Sequence, residues 1–209
     1  MIQIPNFVNK SELFTYLREN KDIHIAAKKA VMKCADAVEF HIVDINENQN
    51  IISKAEINPA VFEMDKFNVK VVINTTNIMD SHSDVHLPNI WNKSLKETKN
   101  LYLLKEHKMS FENIISDKVK ATAVMVNWSD LGFKYQGQTQ ALIFDAEINK
   151  SDNEFMANLY AKDKVKNHSV GMRYIKLDLA MNSESKFDVE EKKIWDKYIN
   201  QIVNKEVAE

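Results

Sequence analysis

Two side chains in this sequence are of the types that together can cleave an acyl bond. His107 closes the run Leu103-Leu104-Lys105-Glu106-His107, and Ser169 stands about sixty positions later in Asn167-His168-Ser169-Val170-Gly171-Met172. A Ser hydroxyl is a weak nucleophile near neutral pH, and a neutral imidazole is suited to take its proton. Each residue lies at the end of a strand-like run, in the order His then Ser. A Ser-based hydrolase is the leading reading.

Other histidines compete for the role. His168 adjoins Ser169, but neighbouring side chains of an extended strand point to opposite faces, so the two do not share a site. That favours a distant partner for Ser169. His82 and His86 sit four apart among Asp80, Ser83 and Asp84. The grouping resembles a loose metal-ligand set, but Asp and Ser side chains bonding to their own backbone explain such a loop better. His24 and His41 read as surface or packing residues. Gly171 gives backbone N–H groups near Ser169 room for close approach, as an oxyanion hole would need. The plain alternative is relief of crowding in a strand.

These residues must be positioned by surrounding elements. Apolar periodicity predicts helices over Ser11–Glu19 and Ile23–Ala35, a short one over Ile90–Lys99, another over Asp152–Ala161 with Phe155, Met156 and Leu159 inward, and a terminal amphipathic helix over Glu190–Val203. Alternation and short apolar runs predict strands over Val38–Val43, Phe67–Ile73, Leu101–Leu104, Val119–Val126, Gln140–Ile148 and Ser169–Leu179. Asp44–Ile57 and Asn74–Pro88 read as polar loops, and Gly132 and Gly137 bracket a hairpin turn. Strands and helices do not alternate regularly. The expected class is therefore α+β, with a mixed or antiparallel sheet of about six to seven strands closed into a β-barrel and helices around it.

Composition sets outer bounds. The 209 residues suit one domain with an appended element. Hydrophobic content of 44% and charged content of 28% are ordinary for a globular chain. Lys plus Arg number 28 against 30 Asp plus Glu, so a net charge of -2 gives no general pull toward nucleic acid or an anionic membrane. The single Cys, Cys34, excludes an intrachain disulfide and a Cys metal cage, and suits a reducing compartment. No apolar run reaches the length of a membrane span, and the first residues do not read as a signal peptide.

The His and Ser segments, Leu103-Leu104-Lys105-Glu106-His107 and His168-Ser169-Val170-Gly171-Met172, resemble the two signature segments of the prohead (capsid maturation) proteases of tailed bacteriophages. The loop Met79-Asp80-Ser81-His82-Ser83-Asp84-Val85-His86-Leu87-Pro88 before a short helix resembles that family too. The likeness runs from about Val69 to Leu179, in the family's order. It implies a herpesvirus assemblin-like serine protease fold, with Ser169 as nucleophile and His107 as general base and then acid. It implies scaffold protein and major capsid protein as substrates, together with self-cleavage, inside the assembling procapsid in the host cytoplasm. It implies no metal, nucleotide or organic cofactor, no nucleic-acid or membrane partner, and leaves room for a homo-oligomer. On this reading residues 59–209 form the protease domain, and residues 1–58 a helical and strand segment that serves as propeptide, docking arm or part of the domain.

The family is expected to carry a third residue, His or acidic, after the Ser. Here the family pattern would continue past the last helix, whereas the chain stops at Glu209; the nearer acids Glu106 and Asp178 are weak substitutes. Two other readings stand beside the protease. One is a protease-fold module with an incomplete site that binds scaffold or capsid protein, with Trp195 and Tyr198 on the last helix as a docking stripe. The other is a Ser hydrolase of small esters, against which the absence of a Gly-x-Ser-x-Gly elbow counts.

Overall fold

A computed structural model describes residues 4–34, 43–45, 51–54 and 64–208. Its helices are α1 (Lys10–Glu19), α2 (Lys21–Ala30), α3 (Asn92–Glu97), α4 (Glu154–Ala161) and α5 (Val189–Tyr198). Its strands are β1 (Lys33–Cys34), β2 (Val43–Ile45), β3 (Ile51–Lys54), β4 (Lys66–Thr75), β5 (Leu103–Leu104), β6 (Ile114–Ser116), β7 (Val119–Asn127), β8 (Gln138–Asn149) and β9 (Gly171–Met172). Among the described residues all strand pairings are antiparallel, and the class is α+β. Among the described residues the strands form one three-stranded sheet and three two-stranded pairs, with no closed ring of pairings.

The chain groups into two compact units, Ala35–Val170 and a second made of Met1–Cys34 with Gly171–Glu209. The larger is built on the sheet β4-β8-β7. β8 is central because its middle is apolar on both faces, Ala141-Leu142-Ile143, whereas β7 is only half-buried along most of its length, as an edge strand is. The β4 side chains alternate between buried and exposed before running fully into the core from Val71. Phe67, Val69, Val71, Leu142 and Ile148 pack there with Met156, Ala157 and Tyr160 of α4. Asn153 starts α4 by accepting from the Met156 N–H at 3.1 Å, and its amide donates to the carbonyls of Glu112 and Ile114.

The β7–β8 connection is a 3₁₀ turn over Trp128–Leu131. A reciprocal cap between Asn127 and Asp130 opens it, and Gly132 at φ 81° closes it. A left-handed residue is required at that point, and glycine adopts it without a Cβ penalty. Trp128 is fully buried, with the rings of Phe133 and Tyr135 set edge-on at 5.6 and 5.5 Å.

In the smaller unit Asn9 caps α1 through the Glu12 N–H at 2.9 Å, and α2 follows directly. Arg18 of α1 pairs with Asp188 at 2.9 Å, and Lys21 of α2 with Glu191 at 2.5 Å.

Several sequence expectations need correction. Ser169–Leu179 is not one long strand: only Gly171–Met172 pairs, with Lys33–Cys34. Within the expected loop Asp44–Ile57, β2 and β3 pair as a hairpin, continuing the apolar pattern of Val43 and Ile45. Phe155 points outward at 63% exposure, because the buried face of α4 is Met156, Ala157, Tyr160 and Ala161. The last helix ends at Tyr198 and tightens into a 3₁₀ turn, Ile199–Gln201. Residues 38–42 of the expected first strand, His41 among them, and the expected boundary near Asn58 lie outside the described residues.

Candidate active site

The residues that position His107 begin with β5. Leu103 is buried, and β5 pairs with β6 at Leu103–Ser116 and Leu104–Ile114. The chain then tightens into a 3₁₀ turn over Lys105–His107, closed by Lys108 N–H donating to the Lys105 carbonyl at 3.2 Å. Inside that turn Glu106 and His107 both have positive φ, 52° and 54°. Non-glycine residues are uncommon in the left-handed region and two in succession more so; the conformation carries strain where the imidazole is aimed.

Ser169 arrives from the other direction. After α4 the chain turns through Asp163 and runs without regular structure from Lys164 to Val170. Val170 packs against the main core cluster. His107 Nε2 stands 2.5 Å from Ser169 Oγ, across 62 positions of sequence. This is the contact through which an imidazole removes a hydroxyl proton. Burial pushes the His107 pKa below its ordinary 6.5, so the ring is neutral and able to accept that proton at neutral pH.

The second imidazole nitrogen of His107 has no hydrogen-bond partner among the described residues. Glu106 turns its carboxylate to Lys108 Nζ at 3.0 Å instead, and Asp178 pairs with Lys176 at 3.4 Å. Glu106 therefore does not support the imidazole.

His168 and Ser169 do not share a site. The strand argument gave that outcome for the wrong reason, since this segment is irregular; the divergence comes from what each side chain reaches. Ser169 meets His107, while His168 is buried and meets the Tyr160 hydroxyl at 2.8 Å. Tyr160 was not singled out from the sequence. The signal available was a tyrosine at the end of an apolar helix eight residues before a histidine.

The other candidates fall into place around backbone. Asp80 accepts from the N–H groups of His82 and Asp84, both at 2.9 Å, making a side-chain-capped loop between bridged Met79 and Val85. His86 is buried with Nδ1 at 2.9 Å from Asn74 Oδ1. Among the described residues no three His, Cys, Asp or Glu side chains gather as a metal cage. His24 lies edge-on to Tyr16 at 5.5 Å. Gly171 begins β9, opposite Cys34. Among the described residues no helix is long and apolar enough to cross a membrane.

Comparison with protein-family models, curated proteins and solved structures finds no match. Function therefore rests on the site's own chemistry.

Proposed function

We propose that this chain is a serine endopeptidase of the prohead (capsid maturation) type, cleaving scaffold protein and the major capsid protein, and itself. The supporting observation is the 2.5 Å approach of His107 Nε2 to Ser169 Oγ. In this reading Ser169 Oγ attacks the scissile carbonyl carbon while its proton passes to His107 Nε2. The tetrahedral adduct collapses, the C–N bond breaks, and the imidazolium returns the proton to the leaving amine. Water then attacks the acyl-enzyme, giving its proton to the same nitrogen, and Ser169 leaves with it. The chemistry needs no metal, nucleotide or organic cofactor.

The finer architecture belongs to the same proposal. The sheet β4-β8-β7 and the pairs β2-β3 and β5-β6 of the larger unit would be parts of an assemblin-type barrel, acting inside the procapsid in the host cytoplasm. Self-association is compatible with this reading; nucleic acid and membrane have no part in it.

One observation favours a second reading. Among the described residues no side chain bonds the other His107 nitrogen, so those residues do not supply the group that orients the imidazole in Ser-His-Asp sites. A catalytically incomplete protease-fold module that binds scaffold or capsid protein is the alternative.

The two separate by co-expression with cognate scaffold and capsid proteins, wild type beside Ser169→Ala, with cleavage mapped by mass spectrometry. Cuts present in wild type and absent in the variant support the protease. Retained association without any cut supports the module.

A further inference from the structure

Ser169 is held on one side by His107, and the opposite side of its segment is anchored at Tyr160. The ring of Tyr160 is in the core, 1% exposed, beside Met156 and Ala157 of the same helix. Its hydroxyl lies 2.8 Å from Nε2 of His168, itself 7% exposed. The turn between them is closed by the Asp163 N–H donating to the Tyr160 carbonyl at 2.9 Å and the Lys164 N–H to the Leu159 carbonyl at 2.8 Å. Beyond Lys164 no helix or strand ladder fixes the backbone before β9.

The Tyr160 hydroxyl enters this contact protonated. Burial raises the phenol pKa far above its ordinary value, so the O–H stays protonated. Among the described residues its hydrogen-bond partner is His168 Nε2, and a buried O–H without an acceptor is costly. The Tyr160 hydroxyl and His168 Nε2 are therefore each other's partners in this buried contact. That Nε2 is committed to structure and not available as a base for Ser169.

We propose that Tyr160 is a positioning residue for the nucleophile: through its hydrogen bond with His168 Nε2 it fixes the segment that carries Ser169, and so sets the approach of Ser169 Oγ to His107. The role rests on the protease reading for its consequence in catalysis, but the positioning itself can be measured without turnover.

The test uses the full chain with ¹⁵N-labelled histidine: wild type, Tyr160→Phe, His168→Gln, His168→Leu and Ser169→Ala. Two readouts are taken, the imidazole ¹⁵N signals of His107 and the rate of covalent labelling by a fluorophosphonate probe. Ser169→Ala gives the His107 signals without their partner. Tyr160→Phe removes one oxygen and leaves the ring in the core. It is expected to move the His107 signals toward those of Ser169→Ala and to slow labelling by about tenfold or more. His168→Gln offers an amide oxygen to the Tyr160 hydroxyl and is expected to keep wild-type His107 signals, whereas His168→Leu is expected to lose them. That pair decides the question should Tyr160→Phe not fold.

Wild-type His107 signals in Tyr160→Phe, or equal behaviour of the two His168 variants, overturn the positioning role. A wild type that is never labelled, with His107 still responding to Tyr160→Phe, overturns the nucleophile reading and leaves the positioning role standing.

Discussion

Glu106 and His107 are consecutive left-handed residues, at φ 52° and 54°, in the turn that presents the imidazole to Ser169. The geometry is held by β5 on one side, where Leu103 is buried, and by the Lys105–Lys108 turn bond on the other. An L-residue in this region crowds its Cβ against the following carbonyl, and a β-branched one crowds it further. Glu106→Gly should relieve that crowding, and Glu106→Val should worsen it. Thermal unfolding should rank Gly at or above wild type and Val below it, by on the order of a few degrees. Val and Gly melting together would mean that residue 106 is not left-handed in solution.

His107 sets the pH dependence of any Ser169 chemistry. Its pKa lies below 6.5 because burial penalises the imidazolium, so the neutral base persists to lower pH than an exposed histidine allows. The acid limb of Ser169 labelling should have its midpoint below about 6.5. The stability effect has a definite sign. The unfolded chain takes up the His107 proton first, so stability is fully present above about 6.5 and falls as pH drops from there to the folded pKa. A ¹⁵N titration placing His107 above 6.5 would contradict both statements.

Much of this was legible in sequence, and the failures share a cause. Strands β4, β7 and β8 are legible because their apolar, strand-like runs coincide with pairing. From Val170 to Ile175 the alternation is also real, with Tyr174 buried between exposed Arg173 and Ile175, yet beyond Met172 it records inside and outside without a ladder. In α4 the bulk of Phe155 suggested an inward face, but the helical period fixes Met156, Ala157, Tyr160 and Ala161 as one face and leaves Phe155 outside. His107 and Ser169 were found because their residue types announce chemistry. The turn that aims His107 was not, since nothing in Lys-Glu-His signals left-handed backbone as glycine or asparagine would. Tyr160 was missed because its part depends on a contact across the chain turn, which periodicity does not encode.

In the smaller unit Asp188 is buried at 1% side-chain exposure, accepting from Ser183 Oγ at 2.5 Å and from Arg18 at 2.9 Å. Burial alone would raise its pKa, but the Ser183 hydroxyl and the Arg18 guanidinium together outweigh it and hold the carboxyl below its ordinary 3.8. Its contribution to stability is therefore present above about 3.8 and lost as pH falls through the lower folded value. Arg18→Ala strands the carboxylate, and with Arg18 itself partly exposed the expected cost is about 2 kcal/mol. Chemical denaturation of Arg18→Ala, alone and with Asp188→Asn, checks it. The double variant should recover part of the loss, and an unchanged loss would show that the ion pair is not its source.

Where β4 ends against the start of β8, Thr76 and Thr139 are both fully buried, and the Thr139 hydroxyl bonds the Thr76 backbone twice. Thr139 Oγ1 donates to the Thr76 carbonyl at 2.8 Å and accepts from the Thr76 N–H at 3.0 Å, while Thr76 Oγ1 accepts from the Gln140 N–H at 3.0 Å. Immediately beyond, the Asn77 N–H donates to the His86 carbonyl at 2.9 Å, so this knot sets where the Met79–Val85 loop leaves the sheet. Thr139→Val keeps the volume and removes the hydroxyl, depriving a buried carbonyl of its donor. A buried polar group left unpaired costs about 1–3 kcal/mol, and the denaturant midpoint should fall accordingly with its slope unchanged. A loss below about 0.5 kcal/mol, the scale of a surface substitution, would mean that water or a backbone shift replaces the bond and that the knot does not hold the loop.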